Sequence, residues 1–409
     1  MLNNISNLFN WIYKNKNLWL RIFILIVLTR FICLNIYNWN HGNTGKPGIQ
    51  YYIDSDRYIE GAEKLLHCEP LDYIQIQYSG YIAIIAFVKM FGLGLEFVII
   101  IQLLMAILSS WFLYDMGKSI TGNKIAGILA VGLYLTNPFI TRWHLYILTE
   151  SLYTSLLILS LWIINKTVKK RTLKFYILSF IIVCINTSIR PNGWILLPMM
   201  FCFFIIYSKY NWYIKLAGTF TIITFFLMCV IYIPILNHAI QKVGSDELPI
   251  NKELEKGVVI WGHNELCLNM PKDTNTGNRN WTESNSYIFK HPFACFKLAI
   301  YRVLSELLQI NHPWYSVKYQ IRILLWLFPA YLLAIIGIMY FKNKVGIKVA
   351  IFIILAHILI IALTWSEHDN RFLNYFLPLI YLLSGCGLYF ILKKIKFPIK
   401  KMKDIKTVM

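Results

Sequence analysis

Two long, predominantly apolar runs decide the kind of fold open to this chain. "LWLRIFILIVLTRFICLNIY" (18–37) and "EFVIIIQLLMAILSSWFLY" (96–114) each match the length that carries a helix across a bilayer, which is about 20 residues at 1.5 Å per residue. Similar runs recur along the chain. Ten helical spans are expected, at roughly 18–37, 95–115, 124–138, 150–165, 174–189, 192–208, 213–236, 322–341, 346–364 and 372–392. The chain is 57% hydrophobic and 15% charged, against about 25% charged in an ordinary soluble domain. A polytopic, all-α membrane protein follows. The first run is too long for a cleaved signal peptide, contains Arg30 and has no small-residue cleavage site after it.

Net charge is +20, which by itself would also suit a nucleic-acid partner. The placement of the charges excludes that. With the N-terminus cytoplasmic, every cytoplasmic segment is basic: "YKNKN", "DMGKSITGNK", "NKTVKKRTLK", "SKYNWYIK", "FKNKVGIK" and the tail "KKIKFPIKKMKDIK". Of 20 acidic residues only Asp115 and Asp404 fall on that side. The basic excess therefore reports orientation and attraction to anionic lipid. Three regions are expected: a membrane module over 1–236 whose first two outer loops carry an acidic site, a long outer loop over 237–321 holding short helices over the membrane face, and C-terminal helices with a basic tail over 322–409. The run 79–91 is too short to span and is expected as an interfacial or re-entrant helix.

Eight cysteines are present. Cys267 and Cys295 on the outer side could pair, but the outer set is odd and sets no disulfide framework. No CxxC or HExxH occurs.

The chemistry concentrates in the outer loops. The first loop carries Asp54, Asp56, Glu60, Glu63, Glu69 and Asp72 in twenty residues. Asp54 and Asp56 open a helical pattern in which Tyr58, Ala62, Leu65 and Leu66 share a face. Plain N-capping would account for them. Glu150 opens another span, where capping is again the simple alternative. Arg190 and Arg371 stand at the mouths of two further spans, and Arg30 near the outer end of the first. Snorkelling to headgroups would account for each arginine alone. Together, acids in two loops and arginines at three mouths on one side suit an anionic, membrane-embedded substrate. Arginine forks match phosphate, and a carboxylate can serve as a base.

The motifs resemble the GT-C class of integral-membrane glycosyltransferases, and within it the protein O-mannosyltransferase and aminoarabinose transferase branch. "LTRFICLN" is similar to that branch's Thr-Arg-aromatic segment. "DSDRYIEGAEKLL" resembles its first-loop pattern, with Asp54, Arg57, Tyr58 and Ala62 at the recurring positions; where the family often reads Asp-Glu, this chain reads Asp54-Ser55-Asp56. "YSGYIAIIAFVKMFG", "NPFITRWHLYILTESLYTSLL", "SIRPNGWILLP" and "NRFLNYFLPLIYLLSGCG" resemble later segments. The loop 237–321 resembles nothing placed in the family.

The resemblance implies transfer of a sugar from a polyprenyl-phosphate donor to a hydroxyl of a lipid, glycan or protein acceptor at the extracytoplasmic face, with inversion. It implies Asp54 as general base and Glu150 as an orienting acid. Arg371, Arg190, Arg57 and Arg30 would hold donor phosphate, and Asp56, Tyr58 and His368 would stand nearby. A divalent metal, Mg or Mn, would fit the outer carboxylates, although the branch often works without one. His263 and His312 are further outer-side polar groups. Trp261, Trp281, Trp314 and Tyr315 suit either sugar stacking or the interfacial aromatic belt. A transporter or flippase would need charge near mid-membrane, and the spans hold little besides Arg30. A glycan polymerase or ligase would depend on arginines rather than on Asp54. The Lys-, Ile- and Asn-rich usage fits an AT-rich bacterial genome, hence a cytoplasmic membrane and a cell-envelope glycan.

Overall fold

The computed structural model describes residues 16–41, 47–207, 256–261, 263–271, 287–309, 315–367 and 371–406, with Trp212 and Leu254. They form two compact units, one of residues 1–158, 332–342 and 381–409, the other of residues 159–331 and 343–380.

Six described helices are long and apolar enough to cross a membrane, and a seventh crossing results if one bent pair counts as a span. They are α1 (Lys16–Asn40), α5 (Glu96–Thr121), α8 (Glu150–Lys170), α12 (Val317–Phe341), α13 (Val345–Leu363) and α14 (Leu373–Lys406). The bent pair is α6 (Lys124–Thr136) with α7 (Pro138–Thr141) and its 3₁₀ continuation Arg142–Leu145, turned by 54°. The expected count of ten is thus not confirmed among the described residues. The runs at 174–189 and 192–208 do fold, as α9 (Leu173–Ile189) and as a 3₁₀ turn Pro191–Ile195 leading into α10 (Leu196–Ile206). Each is short for a crossing because Arg190-Pro191 interrupts the apolar run: proline cannot donate to the helix ladder and disfavours helix before it. The run at 213–236 lies outside the described residues.

Within the first unit, α5 and α6 form a tight antiparallel hairpin. Gly122 closes α5 at φ +73°, and Asn123 caps α6 by accepting from the N–H of Ile125 at 2.9 Å. The two helices meet at glycines: a Cβ on Gly117 would sit 2.6 Å from Cα of Gly127. Small residues allow this close backbone approach, on which helix association in lipid relies. α1 is the least buried span, with Leu25, Ile26, Ile32 and Ile36 all exposed; such a face is at home in hydrocarbon and not in water.

The first outer loop folds as α2 (Ile53–Leu66), α3 (Tyr73–Gln77) and α4 (Ser79–Met90). α4 is the helix expected at 79–91. Ser55, Tyr58, Gly61 and Ala62 are the buried face of α2. Leu65 and Leu66 are exposed, so the apolar face is shorter than its sequence pattern implied.

In the second unit, the described part of the long loop is not purely helical. β1 (Val258–Ile260) and β2 (His263–Cys267) form an antiparallel hairpin. With α11 (Pro292–Leu308) they enclose a small core of Leu254, Val259, Ile260, Tyr287 and Leu298. α11 is inverted in polarity for a water-facing helix. Phe293, Phe296, Ile300 and Leu304 point outward, whereas Arg302, Ser305 and Glu306 are buried. No disulfide joins Cys267 to Cys295, so the considered bridge is absent.

Candidate active site

A group of acidic residues lies in the first unit, where the backbone ties two loops together. The N–H of Gln50 donates to the carbonyl of Leu145 at 3.0 Å, and that of Ile147 to the carbonyl of Gln50 at 3.1 Å. Tyr52 meets Trp143 and Tyr146 edge-on. Four residues beyond Gln50 stands Asp54, and four beyond Tyr146 stands Glu150. The join thus holds the segments that bear both acids.

Asp54 does not cap α2. Ser55 does: its hydroxyl accepts from the N–H of Tyr52 at 2.9 Å. The serine that replaces the family's usual second acid thus does the work that N-capping assigned to the aspartates. Asp54 instead meets Arg57, Oδ1 to Nη1 at 3.2 Å, with its side chain 22% exposed and open to a substrate. Asp56 is exposed. Tyr58 is fully buried between Tyr78 and Tyr81, each with ring centroids at 5.2 Å; it packs α2 on α4 and offers no outer surface.

The other first-loop acids have structural partners. Glu60 pairs with Lys64 at 2.7 Å, and Glu63 pairs with Lys89, which holds its carboxyl below the ordinary value. Asp72 caps α3, accepting from the N–H of Gln75 at 2.8 Å.

Glu150 is buried at the start of α8, and its charge reaches Tyr81. The Tyr81 hydroxyl donates to Gln102 Oε1 at 3.0 Å, and Gln102 Nε2 donates to the carbonyls of His144 and Tyr146, both at 2.9 Å. Gln102, inside a long apolar run, thereby fixes the second loop beneath Glu150. Nothing in the sequence pattern singled it out. Arg142 was also missed: it lies over the Trp143 ring, guanidinium carbon 4.6 Å from the centroid. Arg30 is exposed on α1 beside Leu25, Ile26 and Thr29, and its Nε donates to the carbonyl of Thr136 at 3.3 Å.

A separate group of cationic residues lies in the second unit. Arg190 is 5% exposed, so it does not snorkel. Its guanidinium lies over the rings of Tyr375 at 4.7 Å and Phe372 at 5.8 Å. Arg371, buried as well, directly precedes Phe372. The structure therefore brings Arg190 to the very turn that carries Arg371. Cations held over aromatic faces stay charged and partly desolvated, the condition in which they bind phosphate strongly. Trp261 stacks on Trp365 at 4.5 Å and 28°, next to the same turn, and Tyr315 packs on Tyr319. His263 falls in β2. His368, His312, Trp281 and Trp314 lie outside the described residues. No group of three or more His, Cys, Asp or Glu able to hold a metal ion occurs among the described residues.

Residues 80–236 match the family model described as dolichyl-phosphate-mannose-protein mannosyltransferase. This bears out the resemblance to a membrane glycosyltransferase family over that stretch. The matched stretch contains Glu150 and Arg190. Asp54, Asp56, Arg57, Tyr58, Arg30, Arg371 and His368 lie outside it. Comparison with curated proteins and with solved structures returns no match.

Proposed function

We propose that this chain transfers a sugar from a polyprenyl-phosphate donor to an acceptor hydroxyl of a glycan, lipid or protein at the extracytoplasmic face, inverting the anomeric centre. Asp54 is the general base: it takes the proton of the acceptor hydroxyl as that oxygen bonds to the anomeric carbon. The bond from that carbon to the phosphate oxygen breaks, and its electron pair leaves with the lipid phosphate. Arg371 and Arg190 neutralise the developing charge. Arg57 holds Asp54 until the acceptor arrives, and Glu150 orients the acceptor. Arg30 and Asp56 stand as secondary contacts. The outer loops, including the two acid-bearing loops of the membrane module over 1–236, face the extracytoplasmic side, with both termini cytoplasmic.

The observation that carries this reading is the pairing of Asp54 with Arg57 at the start of α2, on a side chain that keeps partial exposure, while Ser55 accepts from the N–H of Tyr52. The test is transfer from a radiolabelled polyprenyl-phosphate sugar in membranes, wild type against Asp54→Asn at matched expression. Loss of transfer with binding of polyprenyl phosphate retained supports the base. Unchanged transfer removes Asp54 and moves the role to Asp56 or Glu150.

A further inference from the structure

Glu306 is fully buried near the end of α11, in a loop with no counterpart in the family resemblance. Its carboxylate is enclosed by the last outer turn. Oε2 accepts from the N–H of Glu367 at 2.8 Å and from the Ser366 hydroxyl at 3.0 Å, and Oε1 accepts from the N–H of Leu373 at 2.6 Å. One side chain thus grips the chain on both sides of Arg371, and Leu373 is also the first residue of α14.

Gln309 completes the grip. It adopts φ +52°, costly for a non-glycine residue. Its Nε2 donates to the carbonyl of Glu306 at 3.1 Å and to that of Glu367 at 3.4 Å. Both backbone groups of Glu367 are therefore taken, by the side chains of Glu306 in α11 and Gln309 just after it. Behind them, Arg302 Nε donates to the carbonyl of Val258 at 2.9 Å, and the N–H of Ser366 donates to the carbonyl of Val259 at 2.9 Å. Among the described residues, Glu367 acts electrostatically on the carboxylate, and Arg302 stands four residues before Glu306 on α11.

A carboxylate buried at this depth is retained only where its bonds hold something in place. We propose that Glu306 is a positioning residue: it fixes both ends of the outer turn and so sets where Arg371 meets the donor's phosphate. The proposal rests on the reading of Arg371 given above. It also assigns the long loop a task, that of bracing the phosphate-binding turn from outside the family's shared segments.

The test uses the full chain in lipid nanodiscs and a radiolabelled polyprenyl monophosphate as probe. Four proteins are compared: wild type, Arg371→Ala, Glu306→Gln and the double variant. Arg371→Ala is expected to weaken binding by roughly tenfold or more, as for loss of a charge-assisted contact. Glu306→Gln, nearly isosteric and able to fold, is expected to weaken it about as much. The double variant should bind no worse than Arg371→Ala, because the carboxylate acts through that arginine. Amide hydrogen exchange over 366–373 should rise in Glu306→Gln and stay unchanged elsewhere.

Each failure points to a different fault. Full binding by Glu306→Gln, with Arg371→Ala weakened, overturns the positioning role and leaves the phosphate reading standing. Additive loss in the double variant also overturns it, as a merely structural effect. Unchanged exchange over 366–373 overturns the grip itself. Full binding by Arg371→Ala refutes the phosphate reading, and the positioning role with it.

Discussion

The two charged regions of this protein are built on opposite rules. In the first outer loop the ions lie near the surface: Glu60 with Lys64, Glu63 with Lys89, Asp54 with Arg57. Around the last outer turn they are buried: Arg190 over Tyr375, Arg302 against the carbonyl of Val258, Glu306 among two backbone amides and a hydroxyl. Exposed pairs are screened and contribute little to stability. Buried ions cannot lose a partner without leaving a desolvated charge or an unpaired amide. The first region can therefore move charge during a reaction. The second is suited to holding charge still. A base must exchange its partner for a substrate, and a phosphate clamp must not rearrange.

The sharpest way to break this contrast is Asp54→Asn. Loss of a general base lowers kcat by roughly 10²–10⁴-fold, and here the melting temperature should be almost unchanged, because the residue is accessible and does not cap its helix. A large fall in melting temperature would show that Asp54 is structural after all. Next is Glu306→Ala, which strips partners from two buried amides and should destabilise the protein by about 2–4 kcal/mol, read from thermal unfolding in detergent. A loss as small as that of a surface pair would erase the distinction between the regions.

Arg190→Lys keeps the charge but loses the flat guanidinium that lies on Tyr375. It should weaken polyprenyl-phosphate binding by roughly tenfold, checked by competition with the labelled probe. A smaller effect concerns pH. Burial pushes the Glu306 carboxyl from 4.5 up to about 7, against the lowering effect of its three hydrogen bonds. The folded form then binds a proton more readily than the unfolded one. Its contribution to stability is complete below about pH 4.5 and is lost as pH rises through about 7. Between pH 5 and 7 the melting temperature of wild type should therefore fall more steeply than that of Glu306→Gln. Smallest of all, Lys64→Ala removes the half-buried partner of the exposed Glu60 and should change melting temperature by no more than a surface pair does and leave transfer unaltered.

Much of the fold was legible because hydropathy is a local signal. Nine of the ten expected spans coincide with described helices, and α4 falls where a short helix was expected. Crossing length was the weaker inference: the interruption at Arg190-Pro191 leaves α9 and α10 as short apolar helices. At the site, Asp54 and Glu150 stood out because acids are rare beside apolar runs. Their separation from Glu60, Glu63 and Asp72 did not stand out, since all five are acids in outer loops. Only the partners distinguish them: Lys64, Lys89 and the α3 amide engage three, while Asp54 is left beside Arg57.

By itself, then, the sequence determined the class of solvent and the helices, because each follows from the composition of a short segment. The tertiary structure alone decided which charges are buried. Glu306, Arg302 and Gln102 look like ordinary helix residues in their own segments. Their burial depends on chain 40 or more residues away, at Val258, at Ser366 to Leu373 and at the carbonyls of His144 and Tyr146. A hydrogen bond across such a distance leaves no mark in local periodicity. It exists only once the packing of neighbouring elements has excluded water from both partners.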